Sequence, residues 1–145
     1  MSEAEPVAVE GAGGTEELAG RFAKRLVRGD VIFLEGEVGA GKTTFVRGAC
    51  RAIGVIQPVT SPSFTLAQRY EDGCIPVSHL DFQRLGGGAE DPGLFEQEAS
   101  PERITFVEWP SDTPRGTEWI PNYVVEFEHL SPDSRAIRIS EAGCP

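Results

Sequence analysis

Residues Gly36-Glu37-Val38-Gly39-Ala40-Gly41-Lys42-Thr43 fit the pattern G-x-x-x-x-G-K-[S/T] in full, and this stretch constrains the fold more tightly than any other. Backbone N–H groups of such a loop can wrap an anion where a strand delivers the chain and a helix carries it away. Both are expected here. Val31-Ile32-Phe33-Leu34 is short, continuously apolar and β-branched at its start, as a strand buried on both faces should be. From Thr43 to Ile53 there is no proline; Phe45, Val46, Ala49 and Ile53 keep helical spacing, and Gly54 supplies a C-terminal stop. With this chain's residue frequencies, a chance match somewhere in it has a probability of roughly one in a few hundred.

Each residue type in the loop has a chemical reason. Gly36, Gly39 and Gly41, with the small Ala40, let the backbone approach phosphates closely. Lys42 is placed to reach the β- and γ-phosphates, the Thr43 hydroxyl to ligate Mg2+, and Thr44 to lie over the α-phosphate. The chain has two lysines, Lys24 and Lys42, among 13 basic residues, yet the position that needs a compact, steerable ammonium holds one of them. The expected ligand is a nucleoside triphosphate with its magnesium ion. No N-K-x-D-like segment is present to read guanine, so ATP is the expected nucleotide.

Magnesium also calls for a carboxylate at the end of a neighbouring strand. Asp81 follows the run Ile75–Leu80 and Glu108 follows Ile104–Val107; either acid can ligate the metal or orient the attacking water, or cap a helix or face solvent instead. Ser61, Ser63 and Thr65 stand where many such proteins carry a switch that senses the γ-phosphate, although a turn role serves them equally. Trp109 can pack near a nucleotide or in an ordinary core. His79 taken alone reads as structural.

Elsewhere, Leu18, Phe22 and Leu26 with Ala19, Ala23 and Val27 predict an amphipathic helix capped by Thr15 and stopped by Gly29. Residues 1–14 read as a tail or one edge strand, and 15–145 as a single domain. Phe64–Tyr70 and Cys74–His79 flank Glu71-Asp72-Gly73 as an antiparallel pair. Tyr123–Phe127 and Ala136–Ile139 form a second pair about the turn Ser131–Ser134, and Leu94–Ala99 suggests a short helix. A formal net charge of −10 disfavours a broad direct grip on nucleic acid, which relies on Lys and Arg. Three cysteines without a C-x-x-C pair suggest neither a zinc site nor a disulfide framework. With no export signal or long apolar run, the expected location is cytoplasmic.

The loop, Ser61-Pro62-Ser63-Phe64-Thr65-Leu66, His79-Leu80-Asp81-Phe82-Gln83-Arg84-Leu85 and Val107-Glu108-Trp109-Pro110 together resemble the TsaE family, from about Thr15 to Ile139. The family wording G-D-L-G-A-G-K-T-T-F, S-P-T-F, H-x-D-x-Y-R-L and E-W is kept in order, with Glu37-Val38, Ser63 and Gln83 as departures. The resemblance implies an ATPase of bacterial tRNA threonylcarbamoyladenosine synthesis. Such a protein works with TsaD and TsaB, and meets tRNA through them. It also implies that Thr43, Asp81 and Glu108 serve magnesium and hydrolysis, and that Ser61 to Thr65 act as the switch. Trp109, with Pro110 and Ser111, is placed beside the nucleotide, and Arg135 near it.

The expected fold is α/β: a P-loop NTPase domain with a central mixed sheet, flanking helices and added antiparallel hairpins. Lys42, Asp81, Glu108 and Arg84 are the expected catalytic set, Arg84 as a charge stabiliser. A small-molecule kinase and a nucleotide-gated binding module without turnover are the alternative readings.

Overall fold

The computed structural model describes residues 5–37, 39–60, 67–81, 99–108 and 120–141. The chain runs β1 (Val7–Glu10), α1 (Gly11–Ala23), β2 (Val31–Glu35), α2 (Lys42–Ile53), β3 (Ala67–Tyr70), β4 (Val77–Asp81), β5 (Ile104–Glu108), β6 (Tyr123–His129) and β7 (Ser134–Glu141). One sheet takes all seven strands in the order β1-β7-β6-β2-β5-β4-β3. Its middle is parallel, β2 lying between β5 and β6 and β5 beside β4, while β1, β7 and β3 add antiparallel edges. The sheet is therefore mixed, as the loop and the two hairpin patterns require.

Period-two alternation sorts the strand side chains onto two faces. Ile32, Leu34, Ile104, Phe106, Val125, Phe127 and Ile137 turn to the face that packs under α1 and α2, where they meet Phe22, Phe45, Val46 and Ala49 in the main core. Val31, Leu80 and Val107 point the other way into a smaller apolar cluster with Phe33, Ala67 and Ala99 packed against it. The two helices cross at Gly48, where a Cβ would stand 2.5 Å from the Glu16 carbonyl oxygen. Only glycine permits that approach.

Helix α1 departs from the sequence expectation at both ends. It begins at Gly11, not Thr15, although Gly11-Ala12-Gly13-Gly14 is a poor helix former. Tertiary contacts override propensity: the Gly11 N–H donates to the Asp133 carbonyl at 2.7 Å, and Gly14 lies against Val9. Thr15 is consequently an interior residue, not a cap; it is buried, with Oγ1 donating back to the Gly11 carbonyl at 3.4 Å. The helix also stops at Ala23, so Val27 lies beyond it and is 61 % exposed rather than part of the apolar face. Strand β1, at one edge of the sheet, and the first turn of α1 thus fall within residues 1–14.

The first hairpin pairs as anticipated but turns differently. Tyr70 faces Val77, leaving residues 71–76 as the connection, so Asp72-Gly73 is not a two-residue turn. Instead Asp72 Oδ2 accepts from the Ile56 and Gln57 N–H groups at 3.0 Å each, and Gly73 sits against Ile53 and Val55. The second hairpin holds the expected turn, with the Leu130 and Ser134 backbones bonded across it. The glycine run 86–88 and most of the helix expected at Leu94–Ala99 lie outside the described residues, Ala99 excepted.

Candidate functional site

Parallel pairing brings the C-terminal ends of β2, β5 and β4 to one sheet edge. β2 ends at Glu35 and hands the chain to the glycine loop; β5 ends at Glu108 and β4 at Asp81, which are direct register partners. Asp81 and Glu108 share the face turned toward α2, and each is only 3 % exposed. The two acids selected from sequence are therefore neighbours, one strand apart, beside the start of the loop's helix.

The loop itself requires glycine at specific points. Gly39 and Gly41 have φ of 78° and 102°, in the left-handed region, and Gly41 is the residue from which α2 starts. At Gly36 the demand is steric, since a Cβ would lie 2.9 Å from the Phe127 Cβ. Lys42, 5 % exposed, folds back so that its ammonium donates to the Gly36 and Glu37 carbonyls, the latter at 3.1 Å. Burial lowers the Lys42 pKa, and the carboxylates of Glu108 and Asp81 oppose that shift. Burial likewise raises the Glu35 carboxyl, with Glu126, its partner on β6, adding to the effect.

Thr43, one residue on, donates from Oγ1 to Glu108 Oε2 at 3.2 Å, tying the first turn of α2 to the end of β5. That oxygen also meets His79 Nε2 at 2.5 Å, and His79 Nδ1 lies 3.3 Å from the Tyr70 hydroxyl. His79 and Tyr70 are fully buried, and burial pushes the Tyr70 phenol well above its ordinary value of 10.0. Asp81, Glu108 and the Thr43 hydroxyl offer hard oxygen donors of the kind magnesium takes. Among the described residues no group of three His, Cys, Asp or Glu side chains converges to hold a metal unaided. This donor set suits an ion that draws further oxygens from phosphates.

Arg135, in β7, fixes the other side of the loop. One guanidinium nitrogen, Nη1, donates to the carbonyls of Ser131, Pro132 and Ser134, and Nη2 donates to the Gly39 carbonyl at 3.2 Å. Between this arginine and α1 opens a cleft of 180 Å³ lined by Ala12, Thr15, Gly41, Thr44, Asp133 and Arg135, among others. Ala12, Thr15 and Asp133 are not identified as site residues from sequence, because α1 reads as a generic amphipathic helix and the β6–β7 turn as a generic turn. Ala12 and Thr15 come near Gly41 and Thr44 because α1 packs on α2, and Asp133 because its carbonyl takes the Gly11 N–H at the start of α1. Ser61, Ser63, Thr65, Arg84, Trp109, Pro110 and Ser111 lie outside the described residues.

A strand, a G-x-x-x-x-G-K-T loop and a helix at the C-terminal edge of a mixed sheet define a P-loop α/β domain. The match to known sequences narrows this class. A family model described as "Threonylcarbamoyl adenosine biosynthesis protein TsaE" covers residues 9–138, and the chain belongs to that family. It is 35% identical over 136 residues to the Aquifex aeolicus protein named tRNA threonylcarbamoyladenosine biosynthesis protein TsaE, spanning 92% of this chain and 93% of that one. To the Bacillus subtilis protein of the same name it is 42% identical over 93 residues, 64% of this chain but only 56% of the relative. The crystal structure titled Bacillus subtilus YdiB superposes with a TM-score of 0.79 at 26% identity, covering 99% of this chain and 89% of the other. Among the described residues no helix is long and apolar enough to cross a membrane.

Proposed function

We propose that this chain binds Mg-ATP at the Gly36–Thr43 loop and hydrolyses it in support of tRNA threonylcarbamoyladenosine formation, acting in the cytoplasm with TsaD and TsaB. The observation that carries the reading is the convergence of the glycine loop, Thr43, Glu108 and Asp81 at one sheet edge. Family membership supports the biosynthetic role, since relatives bear that name. A net charge of −10 supports a route to tRNA through partner proteins.

In this reading Lys42 exchanges its loop carbonyls for the β- and γ-phosphate oxygens. Loop N–H groups and Gly39, braced by Arg135, hold the phosphates in place. Thr43 and Glu108 would hold magnesium, which when bound neutralises charge developing on the phosphate oxygens. Asp81, one strand from Glu108, either adds to that set or orients the attacking water. The cleft beside Thr44 receives the nucleoside end, against Ala12 and Thr15. Trp109, Pro110 and Ser111 complete the nucleotide contacts, Ser61, Ser63 and Thr65 sense the γ-phosphate, and Arg84 stabilises charge. Hydrolysis is slow until a partner completes the site.

The test is ATP hydrolysis by the purified chain with magnesium, alone and then with TsaB, TsaD and tRNA, using GTP as the control nucleotide. Stimulation by the partners, with ATP preferred, is the expected result. Turnover appearing only when a small acceptor molecule is added would replace this reading with a kinase. Partner function that persists when Glu108→Ala abolishes hydrolysis would replace it with a nucleotide-gated binding module.

A further inference from the structure

Glu108 is held from two sides by donors on two different elements, and one of them is not part of the phosphate loop. His79 stands in the middle of β4, two residues before Asp81 and therefore on the same face of the strand. Its Nε2 is 2.5 Å from the same Glu108 oxygen that Thr43 contacts. A carboxylate only accepts, so Nε2 carries the proton and Nδ1 becomes an acceptor for the Tyr70 hydroxyl at 3.3 Å. The Gln68 amide lies 2.9 Å from that hydroxyl and can turn its NH2 toward the phenol oxygen. A buried chain of side chains thus runs from β3 through β4 to the carboxylate at the end of β5.

We propose that His79, oriented by Tyr70, is a positioning residue: it fixes the rotamer of Glu108 so that the carboxylate and the Thr43 hydroxyl meet as one preformed magnesium-holding pair. The inference rests on the reading of Thr43 and Glu108 given above. A fully buried imidazole is costly unless its nitrogens are bonded, and both have partners here. With an apolar residue at 79, Glu108 would lose one of the two donors on Oε2 and could swing away from Thr43. Side chains that orient a metal-holding group in this way change metal affinity by about 10–100-fold when removed.

The experiment compares wild type with His79→Leu, His79→Gln, Tyr70→Phe and Glu108→Ala. For each, the affinity for a fluorescent ATP analogue is measured with and without magnesium, kcat and KM for ATP are determined, and thermal unfolding checks the fold. His79→Leu should bind the analogue as wild type does without magnesium but lose the magnesium-dependent gain. His79→Gln, whose amide N–H can reach Glu108, should recover most of it, and Tyr70→Phe should show a smaller loss. A folded His79→Leu protein with the wild-type magnesium response overturns the inference. If that variant does not fold, Tyr70→Phe decides, and a wild-type response there overturns it equally. Glu108→Ala separates the two levels: an undiminished magnesium response in that variant overturns the reading of the site itself. Loss in Glu108→Ala with none in His79→Leu overturns the positioning role alone.

Discussion

Thr43 Oγ1 donates to Glu108 Oε2 at 3.2 Å, so the hydroxyl that opens α2 and the carboxylate that closes β5, 65 residues later in the chain, already share an oxygen. In the proposed site Thr43 would then have two separable duties, the bond to Glu108 seen here and the ligation of magnesium. Thr43→Ser keeps the hydroxyl and should retain most of the magnesium-dependent ATP affinity, whereas Thr43→Val, of the same shape, should lose it. Titration of magnesium against a fixed nucleotide concentration checks both. Loss in Thr43→Ser together with retention in Thr43→Val would show that the methyl group, not the hydroxyl, matters.

Lys42 and Asp81 should fail in different ways. The Lys42 ammonium lies inside the loop, against the Gly36 and Glu37 carbonyls, and Lys42→Ala should remove most ATP affinity. Asp81 sits one strand beyond Glu108, and Asp81→Ala should spare binding while lowering kcat. Equilibrium binding and single-turnover hydrolysis distinguish the two. Unchanged affinity in the Lys42 variant would sink the site assignment.

The contrast between what could and could not be read from the amino acids has a physical basis. Strand β2, the loop and α2 were legible because short-range constraints dictate them: a buried apolar run, glycines at positive φ, and helical spacing closed by Gly54. Asp81 and Glu108 were legible as candidates because each ends an apolar strand. Their adjacency was not, since it depends on β4 pairing with β5 in one register. His79 reads as structural in the sequence for the same reason: its meaning lies in a contact 29 residues away. The start of α1 lies earlier than the sequence pattern predicts because its glycines oppose helix formation locally, whereas Gly11 is held by Asp133 on a distant turn.

Gly48 offers a test of the packing that creates the cleft beside the loop. Its position on α2 faces the Glu16 backbone of α1, and an added Cβ would fall 2.5–2.9 Å from three Glu16 backbone atoms. The contact is backbone, which cannot rotate away as a side chain can, so the helices must separate. Gly48→Ala should cost about 1–3 kcal/mol despite alanine's better helix propensity. A denaturant series checks the sign. If the variant is as stable as wild type, the close crossing is not a constraint on this fold.

Cys50 gives a prediction with a definite pH direction. It is fully buried on α2, and burial pushes its thiol from the ordinary 9.0 up to about 12. Two consequences follow from that one shift. At pH 9 the exposed Cys74 should react readily with iodoacetamide while Cys50 stays protonated and inaccessible, becoming labelled only on unfolding. Mass mapping of the alkylated peptides reads this directly. The second consequence concerns stability. In the unfolded chain Cys50 ionises near 9.0, whereas in the folded protein it holds its proton until about 12, so the folded state binds more protons throughout that window. Stability from this group is therefore intact below pH 9 and is lost as pH rises toward 12. Cys50→Ala, which leaves a smaller apolar side chain, should lower stability at neutral pH through the lost packing yet flatten the decline above pH 9. Parallel alkaline declines in the two proteins would mean that the thiol does not carry the linkage.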